Sequence, residues 1–179
     1  MSFSISNFRG GALNNSGARP NLFDVQLTKF PSVTGLTSSE FRFSCKSAQI
    51  PPMSIGVVEV PYFGRVVKVP GNKTFDNWTT TVINDEGFEV RNAMEKWMTA
   101  MGTHEGNFQT IGGGATGGVS SLYGSASVSQ YGKASDTALQ TYYFVNIFPV
   151  NLSEIALAWD SNDAIEEFTV EFAYDYWTS

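Results

Sequence analysis

The spacing of apolar residues changes period several times along the chain. From Asn21 to Phe30, Phe23, Val25 and Leu27 alternate with Asp24, Gln26 and Thr28, the pattern of a half-buried strand. Pro31–Ser39 reads as a turn, and Phe41, Phe43 and Cys45 then alternate with Arg42, Ser44 and Lys46, which predicts a second strand. Pro51-Pro52 interrupts the pattern. Two β-rich runs follow, Val57–Tyr62 and Phe63–Val69, around Pro61 and Gly64. They predict a long hairpin with exposed edges, because proline cannot donate to a central ladder. After a strand over Trp78–Ile83 the period lengthens: Val90, Ala93, Met94, Trp97 and Met101 make the apolar stripe of one helix. That helix is expected at about 85–101, with Asn84 or Asp85 as N-cap and Gly102 at its end.

Beyond the helix, Gly102–Gly124 holds eight of the 17 glycines and reads as a surface insertion without a core of its own. Ala126–Tyr131 reads as a strand, and Leu139–Val150 as a strong one with apolar residues on both faces. Ile155, Leu157 and Trp159 lead to a turn at Asp160–Asp163. In the last run Phe168, Val170, Phe172, Tyr174 and Tyr176 point one way, and Glu167, Thr169, Glu171, Ala173 and Asp175 the other. The acids of that run read as a solvated or lumenal face. Together these elements predict a mainly β fold, an antiparallel β-sandwich or barrel with one α-helix (about 85–101) and a long projecting hairpin. The Ser-, Asn- and Gly-rich segment 1–19 reads as a flexible arm before a single domain over 20–179, with the glycine-rich insertion at 102–124.

Composition alters this picture in one respect. Charged residues are only 16% of the 179 while aromatics are 14%, too few charges to clothe a solitary domain, so much of the surface is expected to face partners. The net charge of −6 is unevenly spread. Residues 1–75 carry eight Lys/Arg and three Asp/Glu, whereas residues 76–179 carry three and fourteen. Two readings stay open: the halves pack on each other within one chain, or a basic surface meets an acidic one on the next copy. The second is a heterologous contact, which builds rings or filaments. No apolar run approaches the ~20 residues of a membrane helix, so no membrane insertion is expected. No signal peptide is visible at Met1–Gly11, so synthesis in the cytosol is expected and the four Asn-x-Ser/Thr matches carry no glycosylation argument.

The search for chemistry returns little. Gly112-x-Gly114-x-x-Gly117 matches the dinucleotide fingerprint but lacks the strand before it and the helix after it that bind a pyrophosphate. Asp160, Asn162 and Glu171 sit at calcium-loop spacing, yet Ala164 and Ile165 stand where a ligand and a glycine are needed. His104 is the only histidine and reads as a solvated loop residue, and Cys45, the only cysteine, as a core residue. The basic residues of the first half are dispersed in an acidic protein, which argues against tight binding of DNA. No catalytic set, cofactor site or metal site is expected, and the chain does not read as an enzyme.

Specific strings go further. Ala18-Arg19-Pro20-Asn21-Leu22-Phe23 opens the first strand, and Phe43-Ser44-Cys45-Lys46 follows. The run from Val69 to Trp78 (VPGNKTFDNW) leads to Asn84-Asp85-Glu86. Phe148-Pro149 precedes Leu157–Asn162 (LAWDSN), and Asp175-Tyr176-Trp177 closes the chain. In this order and spacing, from about Ala18 to Trp177, they resemble the tail tube protein of T4-like contractile bacteriophages, whose fold is shared with tubes of type VI secretion and extracellular injection systems.

The resemblance implies a structural virion protein of the phage tail, made in the host cytoplasm. Its hexameric rings would stack head to tail into the inner tube, the conduit for genome ejection. The implied partners are further copies of itself, the tail sheath, a baseplate tube initiator and a tail terminator, with double-stranded DNA passing through unbound. It also places the hairpin at the family's projecting, ring-bridging element, with Pro51, Pro52, Val58, Val60, Tyr62, Arg65 and Lys68 as expected contacts between subunits and Glu167, Glu171 and Asp175 as the expected acidic face of the channel. Alternatives are a baseplate-proximal initiator of the same fold, the tube of an extracellular contractile injection system, and a secreted β-sandwich that binds or hydrolyses carbohydrate. The absence of a signal peptide and of a sugar-site constellation weakens the last.

Overall fold

A computed structural model describes residues 5, 10, 17–106, 121–133 and 135–179, without the side chains of Val33, Phe43, Ser135 and Asp136. Most of the arm 1–19 and the middle of the 102–124 insertion, including the Gly112–Gly117 motif, lie outside the described residues.

Among the described residues, nine strands form two unequal units. Strands β1 (Phe23–Lys29), β6 (Gly124–Gly132), β7 (Ser135–Leu152), β8 (Glu167–Ala173), β5 (Trp78–Ile83) and β2 (Cys45–Ala48) are hydrogen-bonded in that order, and β9 (Tyr176–Thr178) also pairs with β7. All of these pairings are antiparallel. Strand β7 is common to both halves of this sheet. Its residues up to Ile147 pair with β6 and β9, and Phe148–Leu152 with β8. The second unit is the hairpin of β3 (Ser54–Tyr62) and β4 (Arg65–Thr74), which pairs with no other strand.

The core lies where the sheet closes over the helix α2 (Glu89–Met101). Trp78 stacks on Phe144 with ring centroids 4.5 Å apart, and Phe172 packs against Trp78, Phe41 and Trp97. Both buried indoles keep a partner: Trp78 Nε1 donates to the Gln49 carbonyl and Trp97 Nε1 to that of Leu122, each at 2.8 Å. That satisfies the polar end of a side chain that is otherwise apolar bulk. Helix α2 buries Val90, Ala93, Met94 and Trp97 of the expected stripe together with Ala100, while Met101, also expected there, is half-buried.

Four local differences from the sequence reading have physical causes. The expected second strand begins as a helix, α1 (Ser38–Ser44), and becomes strand only at Cys45. The Glu40 carboxylate accepts the Thr37 N–H at 2.7 Å, the return arm of a capping box, and Phe41 is buried at the helix's inner face. Helix α2 starts at Glu89 and not at 85: Phe88 takes the left-handed conformation (φ 53°), while Asn84 donates its backbone and side-chain N–H groups to Glu166 instead of capping. The insertion is shorter than its glycines suggest, since Leu122 is buried and Gly124 opens β6. Finally, the last run is two strands. It leaves the β8 ladder after Ala173 and re-pairs with β7 as β9, so Tyr176 is exposed where strict alternation would bury it.

Candidate assembly interface

The hairpin is the most exposed element of the described chain. Apart from half-exposed Gly71, every residue of β3 and β4 is open to solvent, among them Ile55, Val57, Val58, Val60, Tyr62, Val66, Val67 and Val69. Its register sorts these side chains. Val58 faces Val69, Val60 faces Val67 and Tyr62 faces Arg65, so one face is an aliphatic stripe with an aromatic and a guanidinium at the tip. The other face carries Glu59 opposite Lys68 and Pro61 opposite Val66. The turn is tight: Phe63 (φ 41°) and Gly64 (φ 76°) both have positive φ, the requirement of a two-residue hairpin loop, and Phe63 meets it without being glycine. Its ring leans on Tyr62, edge to face at 4.7 Å, and is 92% exposed.

The root of this ribbon is fixed to the body. Trp78 Nε1 reaches the carbonyl of Gln49, and Trp177 Nε1 donates to that of Pro52 at 3.4 Å. Pro51, expected among the contact residues, is buried at this root of the hairpin. Pro52, Val58, Val60, Tyr62, Arg65 and Lys68 are all exposed. Val67, Val69 and Phe63 belong with them, and the hairpin register, legible from the two-residue turn at Phe63-Gly64, is the signal that brings them in.

The acidic residues divide. Glu167 and Glu171 stand on the outward face of β8, beside Ile83 and Thr79 of β5, with Thr169 between them and facing Thr81. Glu167 is held by Lys46 at 2.5 Å, an ion pair joining the basic and acidic halves within one chain. Asp175 is not on that ladder. It lies in the bend between β8 and β9, where its carboxylate accepts from Asn146 Nδ2 at 2.6 Å and its N–H donates to the Val145 carbonyl. The break after Ala173 is what removes it from the face that alternation alone assigns.

No group of three or more metal-ligating side chains occurs among the described residues, and His104 is exposed. Cys45 is half-buried and donates to the Ser47 carbonyl, and burial pushes its thiol up to about 12, away from the nucleophilic thiolate. Tyr174, buried among Phe75 and Phe144, has its phenol raised first by burial and then by Asp76. Asp160 and Asn162 lie on an exposed turn. No helix of the described chain is long and apolar enough to cross a membrane.

The structure is thus an antiparallel β body whose core is covered by helix α2, with an exposed two-stranded ribbon that carries an aliphatic face. Solved structures agree on the fold. The chain superposes with a TM-score of 0.60 at 17% identity, over 99% of this chain and 97% of the other, on one from the sheath–tube complex of an extracellular contractile injection system, PVC, in its extended state. It superposes with a TM-score of 0.63 at 19% identity, over 90% and 89% of the two chains, on one from the tube-terminating cap of the anti-feeding prophage. Residues 18–179 match the phage tail tube protein family, and the chain belongs to it. It is 34% identical over 161 residues to tail tube protein gp19 of Enterobacteria phage T4, covering 89% of this chain and 90% of that one, and 25% identical to the tail tube protein of Serratia phage KSP90 over 95% and 93%. The protein is thus a structural component of the virion, part of the tail tube.

Proposed function

We propose that the protein closes into hexameric rings that stack head to tail into the inner tube of a contractile tail, and that it does so without any chemistry of its own. The hairpin carries this reading. An isolated two-stranded ribbon is marginal in water, and one with an aliphatic face fully exposed is an aggregation hazard unless another chain covers it. In the proposed assembly Val58, Val60, Tyr62, Val67 and Val69 are covered by a neighbouring subunit. Pro52, Arg65 and Lys68 then lie at the margin of the contact, where charge sets orientation more than affinity. The outward face of β8, with Glu167 and Glu171, is assigned to the channel, where negative charge keeps duplex DNA sliding. The sheath would cover the outer wall, with a baseplate initiator at one end of the tube and a terminator at the other.

Negative-stain microscopy of the purified chain, with mass photometry, tests the first part. Wild type is expected to give stacked six-fold rings or open tubes. Val58→Ser, Val60→Ser and Val67→Ser combined should leave single rings or monomers of unchanged circular dichroism. Tubes of normal length from that variant would count against the hairpin as the bridging element.

A further inference from the structure

If the hairpin is a plug, some surface must be its socket, and one region of the described chain has the matching chemistry. Between β7 and β8 the segment 153–166 turns back on itself without regular structure and presents Leu157, Trp159 and Ile165 to solvent at 81%, 102% and 72% exposure. A tryptophan wholly in water has no packing partner among the described residues, and tryptophan is enriched among the residues that dominate protein contacts. These side chains, with Ile155 and Ala164, border a cleft of about 360 Å³. Its rim is acidic. Glu154, Asp160, Asp163, Glu166 and Glu167 fall within this stretch and its junction with β8, and no Lys or Arg occurs anywhere after Lys133. Glu166 and Glu167 are engaged by Asn84 and Lys46, which leaves Glu154, Asp160 and Asp163 with no ion pair among the described residues.

The hairpin is the complement in both respects. It offers an apolar face ending in two aromatic rings, and three cations (Arg65, Lys68, Lys73) against one carboxylate, Glu59. Among the described residues only Lys68 of the three has an ion pair, a loose one of 4.0 Å. At ~3.3 Å per residue the ribbon extends roughly 30 Å, long enough to leave its own body and enter a neighbour.

We propose that the cleft bounded by Leu157, Trp159 and Ile165 is the acceptor site for the hairpin of a second copy of this chain, with Arg65 and Lys68 meeting Asp160 and Asp163 at its rim. The assignment rests on the reading of the hairpin as the bridging element and names what it bridges to. Plug and socket are different surfaces of one chain, so the contact does not close on itself and propagates with a direction.

The two surfaces are exposed, so substitutions there leave the fold intact and act on assembly. Trp159→Ala should raise the concentration needed for tube growth on the order of thirtyfold, the cost of truncating a dominant contact residue. Asp160→Lys with Asp163→Lys should block growth, as should Arg65→Glu with Lys68→Glu, and all four together should restore it, because the charges are complementary again. Oxidising a mixture of Tyr62→Cys and Ser161→Cys proteins should give a cross-linked dimer on non-reducing gels that neither variant gives alone. Normal tubes from Trp159→Ala and from the Asp160/Asp163 variant, with no Tyr62–Ser161 cross-link, would overturn the acceptor assignment while leaving the hairpin's role intact. Loss of sheath binding by those same tubes would assign the cleft to the sheath instead. Normal tubes from the Arg65/Lys68 variant would remove the hairpin reading and this inference together.

Discussion

Gly124 shows how closely single residues are held in this body. A Cβ there would come within 2.5 Å of the Lys29 carbonyl oxygen and 2.7 Å of the Trp97 ring, one of them backbone and the other locked by its bond to Leu122. Gly124→Ala should therefore lose about 3 kcal/mol of stability by overpacking, measured by urea unfolding. A loss under ~0.5 kcal/mol would mean that strand β6 shifts freely. Cys45 makes a prediction about pH. Its folded-state thiol titrates at about 12, above the ordinary value near 9, so between these limits the unfolded chain has released a proton that the native one retains. Stability should accordingly be complete below pH 9 and fall as pH rises toward 12. The raised Tyr174 phenol adds in the same sense, and Cys45→Ala should flatten the first part of the decline. A denaturation midpoint that is constant from pH 8 to 11 would contradict the burial of both groups.

Elements were legible where one period runs without interruption. Strands β1 and β5 and the stripe of α2 follow directly from alternation and from the 3.6-residue repeat. Alternation misleads where a ladder is interrupted. In β7, Asn146 has positive φ (56°) and is the extra residue of a bulge opposite Gly124 and Ser125, so burial passes from Phe144 to Ile147 and Pro149 and the two faces exchange. The change of partner after Ala173, which separates Asp175 from Glu167 and Glu171, is likewise a long-range pairing that no local pattern encodes. The segment 38–44 is different, because its signal was local: Thr37 followed three residues later by Glu40 is a helix start, and the alternating Phe41 and Phe43 outweighed it. Glu40→Ala should then cost about 1 kcal/mol through the lost cap, seen as a lower thermal midpoint with no change in assembly. The apolar cleft at 157–165 was invisible for another reason. Leu157 and Trp159 look like core by composition, and only the fold shows that they are left outside it.

For the whole molecule, the uneven charge has both an internal and an external part. Lys46 and Glu167 join the two halves within the chain, so the intramolecular reading holds for that pair, and the contact between copies is the one proposed above for the hairpin cations and the acids of 154–163. In the proposed ring, six copies of a −6 chain would carry about −36 formal charges, and a wall of that sign would repel phosphates. Glu167→Lys with Glu171→Lys should slow genome ejection from assembled particles, with a delay that shrinks as salt is raised and the new attraction is screened. Ejection at the wild-type rate would place β8 away from the channel.

Strand β7 has a mechanical consequence. Eighteen residues long, it is hydrogen-bonded to β6 and β9 over one part and to β8 over the other. The two halves of the sheet therefore have no seam along which one could peel from the other. A local opening has to fray a strand that also holds the other half, which raises the free energy of partial unfolding toward that of the whole. In the proposed tube, a load directed along β7 would be shared in shear by many rungs at once, so the subunit would transmit it as one piece.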